Sequence, residues 1–204
     1  ARRMDRMRTD FVANASHEMR TPLASLVGFI ETIQGPARND VKAQERFLGI
    51  MLDQASRMSR LIDDLLSLSR LEMRAHVAPS GEVDVGAICH HVIDALTPMA
   101  GELGVEISLK VPESPAIVTG DRDELIQVME NLIENACKYG QSGKKVDVAV
   151  KVEEGGAIVA TVRDYGPGIE RQHVPRLTER FYRVDSHRSR EMGGTGLGLA
   201  IVKH

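Results

Sequence analysis

Ser16-His17-Glu18-Met19-Arg20-Thr21-Pro22 lies inside a run of apolar residues that recur every three or four positions. The run consists of Phe11, Ala15, Met19, Leu23, Leu26, Ile30 and Ile33. This is the spacing of one helix face, and at about 100° per residue His17 falls roughly opposite that face. Thr21 follows one turn later on the side of His17. The stretch therefore predicts a long amphipathic helix that exposes a histidine.

A second helical pattern follows the turn residues at 35–40. Its apolar positions are Phe47, Met51, Met58, Leu61, Leu65 and Leu68. Two long helices joined by a short turn make an antiparallel hairpin. Each helix has an apolar stripe, and one hairpin cannot cover both stripes along their full width. We therefore expect two chains to pair into a four-helix bundle, so that the protein is a homodimer.

The periodicity changes along the chain and predicts two domains. Residues 1–72 form the predicted hairpin, 73–83 a linker, and 84–204 a second domain. The elements predicted in the second domain are helices at 86–101 and 122–139 and strands at 104–111, 116–119, 145–153 and 157–163. This mixture predicts an α+β layer with helices packed on one face of a mixed sheet.

Composition limits the classes of function. The net charge of −3 provides no basic surface for nucleic acid. No apolar run approaches the roughly 20 residues that a membrane-spanning helix needs. A single basic cluster, at Arg2, Arg3, Arg6 and Arg8, fits either a solvated helix face or a segment just inside a membrane whose spanning helix lies upstream.

The His17 segment has the chemistry of a nucleophile. A free imidazole is largely neutral near pH 7, so one ring nitrogen carries an available lone pair. Glu18 can hold or accept the proton of the other nitrogen. Pro22 removes a backbone donor and favours a bend. An exposed histidine is more often an ordinary surface residue, so this assignment depends on the rest of the chain.

Three later stretches have the features of a nucleotide pocket. Asn131, Asn135 and Lys138 share one helix face, where amide oxygens suit Mg²⁺ and the lysine suits phosphates. Asp164-Tyr165-Gly166-Pro167-Gly168-Ile169 follows a predicted strand. A carboxylate there can accept a hydrogen bond from the amine of adenine, and glycines allow backbone to approach the base. Taken alone, each motif is more often a polar helix face or a simple loop.

The third stretch is Gly193-Gly194-Thr195-Gly196-Leu197-Gly198, which opens a helix. Its backbone N–H groups and the helix dipole attract an anion. It is neither a Walker loop nor a dinucleotide-binding motif. The polar segment 183–192 before it predicts a mobile lid. Arg183 follows the aromatic pair Phe181-Tyr182 and could reach a γ-phosphate to stabilise its charge.

Together, and in this order, these segments resemble the H, N, G1, F and G2 boxes of bacterial two-component sensor histidine kinases. The resemblance covers residues from about 5 to 204 and is strongest, over Arg2–Leu71, to phosphate-regulon kinases of the PhoR type. It implies a dimeric helical hairpin followed by a two-layer α+β sandwich ATP-binding domain of the GHKL (Bergerat) type. It also implies the cytoplasmic portion of an inner-membrane protein that phosphorylates its own histidine and then an aspartate of a response regulator receiver domain.

The resemblance assigns roles to individual residues. It implies phosphorylation of His17 assisted by Glu18, catalytic help from Arg183, and a Glu18–Thr21 pair that supports dephosphorylation of the partner. It implies Mg²⁺ held by Asn131 and Asn135. The implied ATP-binding set is Asn131, Asn135, Lys138, Tyr139, Asp164, Gly166, Gly168, Ile169, Gly194, Thr195, Gly196, Leu197 and Gly198.

The chain departs from the family pattern at its end, and other functions stay open. His204 is only six residues past Gly198, whereas these domains normally continue, so we expect a C-terminal truncation that frays the last helix and weakens ATP binding. Glu134 could activate water, as in ATPases of the gyrase, Hsp90 and mismatch-repair type. A non-enzymatic signalling scaffold is a second alternative. Dominant phosphatase activity through Glu18 and Thr21 is a third.

Overall fold

The computed structural model describes residues 2–74, 78–185, 189 and 192–204, with side chains described from residue 11 onward. Its first two elements are the helices α1 (Arg2–Gln34) and α2 (Val41–Arg74), which confirm the predicted hairpin. The predicted basic cluster at Arg2, Arg3, Arg6 and Arg8 lies outside the described side chains, and half of the predicted lid at 183–192 is likewise outside the described part.

A short turn closes the hairpin through hydrogen bonds that its sequence supplies. The Ala37 amide donates to Thr32 O at 2.8 Å, and the Gln44 side chain donates to Ala37 O at 2.9 Å. The Asp40 carboxylate accepts from the Ala43 amide at 3.0 Å, which satisfies a free donor at the start of α2. The turn at 35–40 is therefore fixed from both helices.

The two helices pack against each other in part through the predicted stripes and leave an apolar stripe exposed, which includes Leu23 and Ile30 of the stripe predicted for α1. Phe29 and Phe47 lie with ring centroids 5.3 Å apart, and Leu61 and Leu68 are buried. The exposed stripe, in which each side chain is between 42% and 68% exposed, consists of Val12, Leu23, Val27 and Ile30 of α1 and Leu48, Leu52, Ile62 and Leu66 of α2.

The predicted second domain contains every helix and strand expected there, and one strand more. The elements are β1 (Glu82–Asp84), α3 (Val85–Glu102), β2 (Glu106–Lys110), β3 (Ile117–Thr119), α4 (Arg122–Tyr139), β4 (Lys145–Val152), β5 (Ile158–Asp164) and α5 (Gly198–Lys203). Strand order in the main sheet is β2-β4-β5, with β2 parallel and β5 antiparallel to β4. The additional strand, β1, pairs with β3; it begins in the last two residues of the predicted linker and ends at Asp84.

Alternation along β4 explains the two layers. Val146, Val148 and Val150 are each no more than 3% exposed, and they pack with buried residues of α3 and α4 such as Val92 and Ile133 in one core. Both helices begin at an aspartate whose side chain accepts backbone N–H groups, Asp84 for α3 and Asp121 for α4. The predicted α+β sandwich is confirmed.

The chain folds into two compact units whose limits differ from the predicted domains. One unit comprises Ala1–Ser69 and Glu179–Leu197, and the other comprises Arg70–Thr178 and Gly198–His204. Helix α2 also runs two residues into the predicted linker. The segment Glu179–Leu197 groups with the hairpin through contacts such as that between the rings of Phe181 and Phe11, whose centroids are 5.9 Å apart. The domain boundaries at 72 and 84 stay a prediction.

Among the described helices, none is both long enough and apolar enough to cross a lipid bilayer.

Candidate functional site

His17 lies in the middle of α1 and is exposed, as the helical pattern predicted. The helix continues through Pro22, which has no N–H to donate to Glu18 O. One turn after the histidine, the Thr21 hydroxyl donates to His17 O at 3.4 Å. The predicted nucleophile and the predicted threonine therefore share one accessible face of the hairpin.

Glu18 lies between two guanidinium groups. Arg57 Nη2 donates to Glu18 Oε2 at 3.0 Å, and Arg183 Nη2 donates to the same oxygen at 3.0 Å. A second bond from Arg183 Nη1 to Oε1, at 3.4 Å, makes that contact bidentate. The arginine side chains are 12% and 7% exposed, so both charges are largely shielded from water. Arg57 was missed because the register of a hairpin is not readable from helical period alone.

Arg183 also holds the glycine loop by its carbonyl groups. Its Nη2 donates to Gly194 O at 3.1 Å and to Thr195 O at 2.8 Å. Its Nε is buried and, among the described residues, has no hydrogen-bond partner. The sequence predicted that this arginine would face a phosphate, whereas here the group facing it is the Glu18 carboxylate. An orphaned buried donor next to the glycine loop fits an anion-binding role.

Thr195 connects the glycine loop to α2. Its hydroxyl donates to Asp64 Oδ2 at 2.5 Å and accepts from the Leu197 amide at 3.2 Å. Gly196 has a φ of 77°, a conformation that side chains rarely adopt, and its carbonyl accepts from the Phe181 amide at 2.8 Å. Asp64, like Arg57, is a partner that sequence reasoning missed.

The second unit contributes the polar face of α4. The Asn131 amide donates to Gln127 O at 2.9 Å, which fixes the orientation of its Oδ1. This oxygen lies at the start of α5, so close that a Cβ added to Gly198 would be 2.5 Å from it. Asn135 is half-buried one turn further along α4. Two amide oxygens one turn apart are suitable ligands for Mg²⁺, so this face fits the predicted ion.

Lys138, which the sequence assigned to phosphates, forms an ion pair with Glu134. Its Nζ lies 2.6 Å from Glu134 Oε1, one helical turn away, and its side chain is 12% exposed. Between them on α4, burial raises the pKa of the Cys137 thiol to about 11, and the nearby Glu134 adds to the shift. That thiol stays protonated and is not a nucleophile.

The Asp164 turn lies against the C-terminal end of α4. The Gly166 amide donates to Asp164 Oδ1 at 2.9 Å, and Asp164 itself is exposed. A Cβ on Gly140 would collide with the Asp164 side chain, and one on Gly166 would be 2.7 Å from Gly140 Cα. Glycines therefore allow α4 and the turn to approach closely. Tyr139, Gly168 and Ile169 are exposed near this junction, with Gly168 at a φ of 77°.

Family models match both parts of the chain. Residues 7–74 match the His Kinase A (phospho-acceptor) domain, and residues 120–204 match the histidine kinase-, DNA gyrase B- and HSP90-like ATPase. These ranges contain every site residue that the sequence predicted.

Whole proteins of the same kind resemble the chain. It is 40% identical to the phosphate regulon sensor protein PhoR of Pseudomonas aeruginosa, over 98% of this chain and 45% of that protein. It is 37% identical to the sensor histidine kinase WalK of Bacillus subtilis, over 98% of this chain and 33% of that protein. The chain thus spans less than half the length of these relatives.

A solved structure extends the similarity to the fold. The histidine kinase AdeS of Acinetobacter baumannii superposes with a TM-score of 0.68 at 27% identity, covering 91% of this chain and 83% of that one. The sequence comparisons and the fold comparison agree. The chain belongs to the sensor histidine kinases.

Proposed function

We propose that this chain transfers the γ-phosphoryl group of ATP to His17. The observation that carries the proposal is the exposed imidazole on α1, with Glu18 next to it in contact with the guanidinium of Arg183. In the step, a ring nitrogen lone pair forms a bond to the γ-phosphorus while the bond to the bridging oxygen breaks and ADP leaves. Glu18 takes or holds the proton of the other ring nitrogen.

The groups that would hold the nucleotide are on α4, the turn at Asp164 and the glycine loop. Asp164 has one oxygen engaged by Gly166 and is exposed, so its other oxygen would accept from the adenine amine. Asn131 and Asn135 would hold Mg²⁺, which neutralises phosphate charge when bound. Lys138 would pair with the phosphates in exchange for Glu134, and the amides of Gly194–Gly198 would bind them as well. Tyr139 and Ile169 would line the base.

Arg183 would act on the phosphoryl group during transfer. Its Nη atoms contact Glu18 and the loop carbonyls, and its Nε has no hydrogen-bond partner among the residues that the structure describes. A γ-phosphate is a more highly charged acceptor than a carboxylate, so this guanidinium would exchange one anion for the other. Arg57, which also contacts Glu18, would keep that carboxylate paired after the exchange.

The chemical nature of the phosphorylated product tests this function. After brief incubation with γ-labelled ATP, the protein should carry a label that is lost in acid and kept in base, the pattern of phosphohistidine. Steady phosphate release with no labelled protein would instead indicate an ATPase that uses Glu134 as its base. The ion pair between Glu134 and Lys138 opposes that alternative, because the Lys138 ammonium group already engages the carboxylate that would have to contact the water. Absence of ATP binding would indicate a signalling scaffold.

We also propose that phospho-His17 passes its phosphoryl group to an aspartate of a response regulator. Thr21 would then support hydrolysis of the resulting aspartyl phosphate, which releases inorganic phosphate. Thr21 lies one turn beyond His17 on the exposed face, where a hydroxyl can orient water.

Thr21→Ala should keep labelling of His17 within about twofold while slowing dephosphorylation of the regulator at least about tenfold. Thr32→Ala is a matched control, because Thr32 makes the same bond to a carbonyl four residues back in the same helix, at 2.7 Å. Both rates are measured with purified phosphorylated regulator. Equal loss of the two activities in Thr21→Ala would contradict the role.

The exposed apolar stripe of the hairpin supports the homodimer. Its eight side chains follow one face of each helix, which a second hairpin would cover in a four-helix bundle.

Ile62→Glu combined with Leu66→Glu should convert the dimer to a monomer, since two carboxylates would be buried at the interface. Light scattering measures the molar mass, and Lys42→Glu, on α2 outside the stripe, should stay dimeric. A dimeric double variant would exclude this face.

The placement of the chain in a longer protein is likewise a proposal. Its relatives are more than twice as long, which supports a membrane anchor and a sensor region upstream, with this part in the cytoplasm. PhoR and WalK match at 40% and 37% identity, so a phosphate-regulon role stays a prediction.

A further inference from the structure

A group of polar side chains, absent from the predicted site, lies on the sheet face opposite α3 and α4. Asp147 of β4 is aligned with Ser108 of β2 and with Arg163 of β5. Asp147 Oδ1 accepts from Ser108 Oγ at 2.5 Å and from Lys145 Nζ at 3.0 Å. Asp147 Oδ2 accepts from the Tyr165 hydroxyl at 2.5 Å. Both oxygens of this carboxylate therefore accept hydrogen bonds. The bond from Tyr165 links the sheet to the loop that follows β5.

That loop is the turn that begins directly after Asp164, the last residue of β5, which is paired with Val146 of β4. Tyr165 is the next residue, and its ring lies 5.0 Å from the Arg163 guanidinium and 5.7 Å from Lys145 Nζ. On the other side of the turn, a Cβ on Gly143 would collide with the Tyr165 backbone, and one on Gly140 would collide with Asp164. The turn is thus held from one side by backbone contact with the end of α4 and from the other by the Tyr165 side chain.

We propose that Tyr165 and Asp147 are positioning residues for nucleotide binding, because their hydrogen bond fixes the turn that presents Asp164 to adenine. The proposal rests on the proposed role of Asp164. If the backbone that carries the Asp164 carboxylate can shift, ordering that backbone costs free energy when the nucleotide binds. The affinity for the adenine amine is then lower. The hydroxyl of Tyr165 reduces that cost by ordering the turn beforehand.

The protonation states of the group suit this bond. Hydrogen bonds from Ser108, Tyr165 and Lys145 hold the pKa of the Asp147 carboxyl well below its usual range. The same bond with Asp147 raises the pKa of the Tyr165 phenol. Asp147 therefore stays ionised and Tyr165 stays protonated across the working pH range, as the hydrogen bond between them requires.

Tyr165→Phe tests the proposal, because it removes the hydroxyl and keeps the ring between Arg163 and Lys145. We expect the ATP dissociation constant and the KM for His17 labelling to rise about five- to tenfold, which matches the net contribution of one typical hydrogen bond. We expect kcat to stay within about twofold and the melting temperature to change little, since ordered binding and not transition-state contact is lost. Thr161→Val removes a hydroxyl from the neighbouring strand β5 and should leave KM unchanged.

A double-mutant cycle separates a tether from general weakening of the sheet. Asp147→Ala should raise KM as Tyr165→Phe does, and the double variant should be no worse than either single variant, because all three lack the same bond. Additive effects on KM, or a lowered melting temperature with unchanged KM, would overturn the proposal.

Asp164→Asn in the same assay distinguishes this proposal from the proposed role of Asp164 in binding adenine, on which it rests. If that variant binds ATP normally, the adenine role of Asp164 is wrong. If it loses ATP while Tyr165→Phe does not, the nucleotide pocket stands and only the tether is wrong.

Discussion

His17→Ala should lower the transfer of label from γ-labelled ATP to the protein by about 1,000-fold or more, because it removes the imidazole that accepts the phosphoryl group. ATP affinity should stay the same, since the residues assigned to the nucleotide lie on α4, the Asp164 turn and the glycine loop. The rate of labelling and a calorimetric titration measure the two properties on one preparation.

A second histidine provides the control. His90 is also exposed on a helix, α3, so His90→Ala removes an imidazole of similar accessibility and should label normally. Persistent acid-labile label in His17→Ala would assign the phosphorylation to another residue. Loss of ATP binding in the same variant would show that the substitution disturbs more than the nucleophile.

Local pattern was sufficient to predict most elements of this fold. The stripe that includes Ala15 and Met19 predicted α1, and the strand predicted at 145–153 is β4 (Lys145–Val152). The short strand β1 was missed because its three residues have no period of their own. Two tertiary contacts hold β1 in place. The strand pairs with β3, and the Asp84 side chain accepts a hydrogen bond from the Ala116 amide at 3.2 Å.

Each motif of the site could be predicted from the sequence. The residues of other elements that contact the motif side chains could not. Arg57 lies 39 positions from Glu18, and Asp64 lies 131 positions from Thr195. Helical and strand periods place a side chain on a face, and they do not say which residue of another element faces it. Arg183 shows the consequence, because its predicted anionic partner is here a carboxylate of α1.

Asp164→Asn should weaken ATP binding about 100-fold, or roughly 2.7 kcal/mol, while leaving the helical dimer intact. Asn can still accept from the Gly166 amide, which now bonds to Asp164 Oδ1 at 2.9 Å, so the turn should keep its shape. With its oxygen engaged there, the Asn amide would present its NH₂ group where the carboxylate presents Oδ2.

That substitution would therefore place a donor against the donor of the adenine amine, and the charge that strengthens the original bond would be gone as well. Asp94→Asn, at an exposed position of α3, removes the same charge from the same unit and should bind ATP normally. Calorimetry measures the affinity and light scattering the dimer. Unchanged affinity in Asp164→Asn would mean that the base of ATP does not bind at this turn, whereas equal loss in both variants would mean that net charge, and not the geometry of one carboxylate, governs binding.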